Sequence, residues 1–348
     1  MNRFNSVKPG VARKDAVNAP PAPREEDPME TAMAPQAPQA APEGSTSPPP
    51  PPPARRTRPR RTTVPWWFVL PALAFFAFAV LVPSARGALY SLTDWDGLAR
   101  SFDFVGLEQY RALLADEKAR DALVHTLLIA FAVTVVQNAV GLLLALGVNS
   151  RIRSRNVLRV FFFAPAVITP VVTAYLWKYL YAPEGALNAA FESLGLGFLA
   201  QNWLGDSGIA LWSVVGVIVW QFSGYSMVIF LAGLQSIPRE VHEASEMDGA
   251  GPVRHFWHIV RPMLAPAFTI NLMLSLVGGL KLFDQVWVMT QGGPGGATDT
   301  LSTVIYREAF QFNAFAYSTA MAVVLTLFVI VLSGVQYGYL GRQEAKNS

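Results

Sequence analysis

Apolar residues gather into six stretches, approximately 65–88, 123–148, 157–181, 210–233, 264–289 and 317–340, with more polar segments between them. About twenty apolar residues in helical form cross the roughly 30 Å hydrocarbon core of a bilayer, so each stretch predicts one membrane span. Aromatic residues stand at several ends, among them Trp66, Trp67, Tyr90, Trp177, Tyr179, Tyr181, Trp212, Tyr317, Tyr337 and Tyr339. Amphipathic rings sit at headgroup depth, which supports these boundaries. The expected fold is all-α, a polytopic integral membrane protein with six transmembrane helices.

Between the fourth and fifth stretches the pattern changes. Residues Ile237 to Pro266 read as two short helices broken at a glycine. Ser236 is expected to cap the first, with Pro238 in its opening turn and an end near Asp248 and Gly249. Glu240, Glu243 and Glu246 recur every third residue as an acidic stripe. In the second helix Val253, Phe256, Trp257 and Val260 share one face, and Arg254, His258 and Arg261 share another. That spacing alone equally describes an interfacial helix on anionic lipid. A carboxylate stripe gains nothing from such lipid, whereas a helix pair docking into a protein cleft uses both signs to set its register.

Lys and Arg set the orientation. Arg55 to Arg61 precede the first stretch, Arg151, Arg153, Arg155 and Arg159 surround the gap between the second and third, and Arg342 and Lys346 follow the sixth. Segment 182–209 has no Lys or Arg and 290–316 has only Arg307, although 89–122 carries four basic residues. The positive-inside rule then places both termini and the helix pair in the cytoplasm. Residues 1–62, rich in Pro and Arg with a proline run from Pro48 to Pro53, cannot bury a core and read as a disordered cytoplasmic tail. The remaining divisions are 63–122 for the first span and an external segment, 123–340 for the transmembrane domain and 341–348 for a cytoplasmic C-terminal tail.

Composition agrees with the membrane reading: 52% of residues are hydrophobic and 15% charged. A net charge of +3 does not suggest nucleic-acid binding. The absence of cysteine excludes disulfides and thiolate chemistry, and four scattered histidines offer no spaced metal cluster. No paired carboxylates or activated nucleophile point to a membrane-embedded enzyme, and no inverted repeat points to a secondary transporter. Polar residues inside the spans are candidates for lining a solute path: Gln137, Asn138, Gln221, Asn271, Lys281 and Asp284. Lys281 and Asp284, three apart, are equally placed to pair with each other. Asp284, Gln285 and Trp287 together offer the hydrogen bonds and aromatic platform a sugar needs.

Glu243, Ala244, Ser245, Gly249, Ile259 and Pro262, with Asp248 and Ala250 completing an Asp-Gly-Ala run, resemble the coupling motif of the inner-membrane permeases of binding-protein-dependent ABC importers. Two positions depart from that motif: Ser245 stands where the second alanine is usual, and Arg261 where leucine is usual. The run from Gln291 to Leu301, followed by Ile305 to Phe310, resembles the segment after span five in maltose-type carbohydrate permeases. Its glycines lack the strand, lysine and helix context of a phosphate loop.

The resemblance implies a coupling helix pair between spans four and five that sits in a groove of a cytoplasmic ATPase. It implies a second homologous permease, two ATPase subunits, an external solute-binding protein and a sugar substrate in a bacterial plasma membrane. This chain would bind no nucleotide, cofactor or metal. A permease for glycerol phosphate, polyamine or another small polar solute is the alternative. A phosphorylated solute calls for arginine in the outer half of the spans, where Lys178 and Lys281 are the nearest cations.

Overall fold

The computed structural model describes residues 66–150 and 152–347, so the proline-rich tail, its arginines and Arg151 lie outside the described residues. The described chain is almost wholly helical, with one isolated β-bridge between Thr93 and Phe104. Four helices are long and apolar enough to cross a membrane: α1 (Trp67–Tyr90), α3 (Glu117–Asn149), α7 (Ala210–Gln235) and α13, whose apolar part is Phe315–Gly341. Two bent pairs raise the number to as many as six spans: α4 (Arg155–Val167) with α5 (Pro170–Leu180), and α9 (Pro252–Met263) with α10 (Ala265–Leu280). Shorter helices are α2 (Glu108–Ala115), α6 (Ala186–Ser193), α8 (Arg239–Met247), α11 (Asp284–Met289) and α12 (Leu301–Phe310). Helix α13 runs on to Asn347, so the backbone of the expected C-terminal tail continues the last helix through that residue.

Two expected continuous spans are broken. Stretch 157–181 bends by 98° between α4 and α5. Pro170 has no N–H for a helical bond and disfavours helical backbone in Thr169 before it, and both Ile168 and Thr169 are extended. Stretch 264–289 stops at Leu280 and resumes at Asp284. Prolines also account for two wide turns: the π-turns Ala77–Leu81 and Phe256–Val260 lie just before Pro83 and Pro262. A proline ring clashes with the carbonyl four residues back, and a π-turn accommodates it.

Helices α3 and α7 make the most extensive interface, with α10 against α3 and α4 against α7. Lipid is as apolar as leucine, so close van der Waals packing and interhelical hydrogen bonds hold such helices together. Gly224 on α7 lies so close to Phe162 O on α4 that a Cβ would overlap it, and one on Gly279 of α10 would meet Ala130 Cα of α3 at 2.6 Å. Besides a small apolar cluster of Ala122, Leu301, Val304 and Met321, two larger ones form. One is built on Ile129, Val133, Val214, Ile218 and Val286, the other on Ala145, Met227, Phe230, Leu234, Val260 and Leu264. Along α3 and α7 a layer of buried polar side chains separates them, including Gln137, Asn138, Gln221 and Ser226.

Candidate functional site

The polar layer is tied together across helices. Gln137 Nε2 donates to Ser226 Oγ at 2.8 Å, and Asn138 Nδ2 donates to Ser275 Oγ at 2.8 Å and to Thr134 O at 2.7 Å. Asn271 Nδ2 donates to Ser226 O at 3.2 Å. Gln221 Nε2 donates to Ile168 O at 2.9 Å, and Gln285 Nε2 donates to Gln221 Oε1 at 3.1 Å. At about 0.6 kcal/mol each, the interhelical bonds contribute on the order of 3 kcal/mol together.

Beside this layer a cleft of about 450 Å³ opens between α3, α7, α10 and the bend of α4 and α5. Of the residues expected to line a path, Gln137, Asn271, Lys281 and Asp284 line it. Asn138 is 4% exposed and bonded to its neighbours rather than to the cleft, and Gln221 is fully buried as a strut between Ile168 and Gln285. Trp287 does not line the cleft either. Its ring stacks on Phe283 at 5.7 Å and meets Tyr306 edge-on at 4.7 Å, because α11 packs that side against α12.

Lys281 and Asp284 do not pair. Lys281 ends α10 while Asp284 starts α11, so the helical i, i+3 register does not exist, and among the described residues the only ion pair is Arg307 with Asp299. Sequence spacing did not reveal Phe222 and Tyr225, which add aromatic rings to the wall from α7 one turn beyond Ile218 and Gln221.

The glycine-rich stretch folds on itself. Thr298 N donates to Gly292 O and Thr298 Oγ1 to Gly293 O, while Arg307 clasps Asp299 and reaches Gln291 O.

The helix pair forms as α8 and α9. Ser236 does not cap α8: its own backbone is still helical, and its Oγ donates back to Gly233 O at 2.8 Å at the end of α7. Pro238 takes the N-cap position instead, just outside the opening turn in which it was expected. Gly249 has φ +70° with open space around it, so glycine is required there by backbone conformation, not by crowding. The turn is closed by Ala250 N donating to Ser245 O at 3.1 Å.

Glu240, Glu243 and Glu246 are all exposed with Ala244, Asp248 and Gly249, whereas Ser245 is buried and Ala250, Ile259 and Pro262 are half-buried. On α9 the expected apolar face divides: Val260 is buried, while Val253 and Trp257 are exposed. Arg261 lies over the Trp257 ring at 5.3 Å, a cation–π contact that gives the arginine a place where the family motif has leucine. Spacing also did not reveal that His255 bonds both Ser245 and His242 across the turn. Among the described residues no three His, Asp or Glu side chains are arranged to hold a metal.

Comparison with known proteins identifies the architecture. Residues 137–344 match the family model described as binding-protein-dependent transport system inner membrane component. The multiple sugar-binding transport system permease protein MsmF of Streptococcus mutans is 33% identical over 271 residues, covering 78% of this chain and 93% of MsmF. The sn-glycerol-3-phosphate transport system permease protein UgpA of Pectobacterium atrosepticum is 35% identical over 283 residues, covering 80% of this chain and 95% of UgpA. A bacterial alginate ABC transporter, solved in complex with an alginate pentasaccharide-bound periplasmic protein, has the same fold in one of its chains. Its TM-score is 0.71 at 20% identity, covering 80% of this chain and 94% of that one. Members of this family are transport subunits of the membrane, not enzymes, and this chain belongs to it as a multi-pass ABC transporter permease.

Proposed function

We propose that this chain is one of two permease subunits of a sugar ABC importer, crossing the membrane six times with both termini in the cytoplasm. In this reading α4–α5 is a broken span, α10 with α11 forms the fifth, and α9, set off from α10 by the 70° bend, joins α8 as a cytoplasmic coupling pair seated in an ATPase subunit. Two ATPase subunits hydrolyse ATP and this chain binds no nucleotide. An external solute-binding protein delivers the sugar to the side of segments 182–209 and 290–316. The broken helices support a path beside them, since irregular backbone at membrane depth is tolerated where it lines a cavity.

The observation that carries the sugar reading is the lining of the cleft. Its polar lining residues are Gln137, Asn271, Ser275, Tyr225 and the largely buried Gln285, with one charge of each sign, Lys281 and Asp284. Neutral amides and aromatic rings suit a polyhydroxylated ring. A phosphorylated solute would favour guanidinium groups, and among the described residues no arginine lines the cleft. MsmF is named for sugar transport, in keeping with this choice, while UgpA, similarly related, is named for glycerol phosphate, the alternative.

The coupling role falls to the exposed Glu243, with Gly249 setting the turn. ATP-dependent uptake of a panel of labelled oligosaccharides into vesicles holding the assembled transporter tests both parts, comparing wild type with Glu243→Lys. Uptake that requires the binding protein and is lost in an assembled Glu243→Lys complex is the expected result. Entry of another solute but no sugar would overturn the substrate class, and full uptake by Glu243→Lys would remove the coupling role.

A further inference from the structure

A helix pair that transmits a push must move as one body, yet a turn built on one glycine is a hinge. Here three side chains cross that hinge. Ser245 Oγ lies 2.7 Å from His255 Nδ1, and His255 Nε2 lies 2.9 Å from His242 Nδ1. Ser245 and His242 stand one turn apart on α8, and His255 stands in the first turn of α9. We propose that His242, Ser245 and His255 form a clasp that fixes the angle between α8 and α9, making them positioning residues for coupling. This rests on the reading of the pair as the coupling element.

The chemistry of the clasp is complete. A neutral imidazole has one N–H donor and one acceptor nitrogen, so both nitrogens of His255 are satisfied when the chain of bonds runs in a single direction. Either Ser245 donates to His255 and His255 donates to His242, or both bonds reverse. Ser245 is 4% exposed, so losing the hydroxyl there leaves a ring nitrogen facing a site with little water. The clasp thus accounts for serine where the family motif has alanine: alanine offers His255 nothing.

Amide hydrogen exchange of residues 246–258 in the assembled transporter tests this, set beside transport per ATP hydrolysed. At pH 7.5, His255→Phe should speed exchange roughly tenfold and Ser245→Ala roughly threefold, the scale of losing one or two hydrogen bonds. The double variant should match His255→Phe, because both changes remove the same chain of bonds. Ser245→Ala is the mildest variant and keeps the test open if His255→Phe fails to assemble. Wild-type exchange in both variants, or effects that multiply in the double variant, would overturn the clasp. Full transport by Glu243→Lys would instead remove the coupling role while the exchange data still decide the clasp.

Discussion

Gln285 donates its side-chain amide to Gln221 Oε1 at 3.1 Å, and Gln221 in turn donates to Ile168 O, the carbonyl at the break between α4 and α5. One chain of bonds therefore joins α11, α7 and the two-residue break Ile168–Thr169. Each amide is less than 3% exposed, so neither has water as an alternative partner.

Replacing either glutamine by leucine should lower stability by about 1–2 kcal/mol, since the remaining amide is left without a partner in a buried site. The double replacement should cost less than the two singles added together. Thermal unfolding of the four proteins in one detergent measures this. Strict additivity would show that the two side chains act independently.

Arg307 holds the glycine-rich loop through Asp299 and Gln291 O, and the loop has positive φ at Gln291, Gly292, Gly295 and Gly296. A Cβ at Gly292 would overlap the Asp299 carboxylate, so the small residue makes room for the ion pair. Arg307→Ala should free residues 291–299, with a loss of about 1–3 kcal/mol for a partly buried charged hydrogen bond. Limited proteolysis or hydrogen exchange of that segment reads the effect. Unchanged protection would mean that the backbone turns alone hold the loop.

Glu308 is held above the usual carboxylate range, first by burial and then by the neighbouring Asp116, with Arg307 and Lys118 opposing the shift. A raised pKa in the folded state means that folding favours the protonated acid. The associated stability is fully present below the ordinary glutamate value of 4.5 and is lost as pH rises through the folded-state value. Glu308→Gln should therefore raise the unfolding midpoint at pH 7 and leave it nearly unchanged near pH 4. An equal effect at both pH values would assign the gain to packing instead of charge.

The linear pattern of apolar residues determined the membrane class, because a run of about twenty apolar residues has one low-energy place to go in a cell. It also determined the helix pair, since Gly249 stops α8 through its own backbone freedom and the charge periodicity is a property of one helix at a time. The exposed acidic face of α8, with Glu240, Glu243 and Glu246, was legible for the same reason.

Tertiary structure decided the rest. That stretch 157–181 bends by 98° at Ile168–Thr169 could be suspected from Pro170, but its place beside a cleft depends on what packs there. Gln221 and Trp287 carry the right chemistry for a solute path, yet one is a strut and the other a packing ring, because only the rotation of α7 and α11 in the bundle selects which face meets the cleft. The bonding of His242 to His255 had no periodic signal, for it joins two helices whose mutual angle no linear pattern encodes. Sequence fixes which groups a helix carries on each face; the packing of helices against one another fixes which face does what.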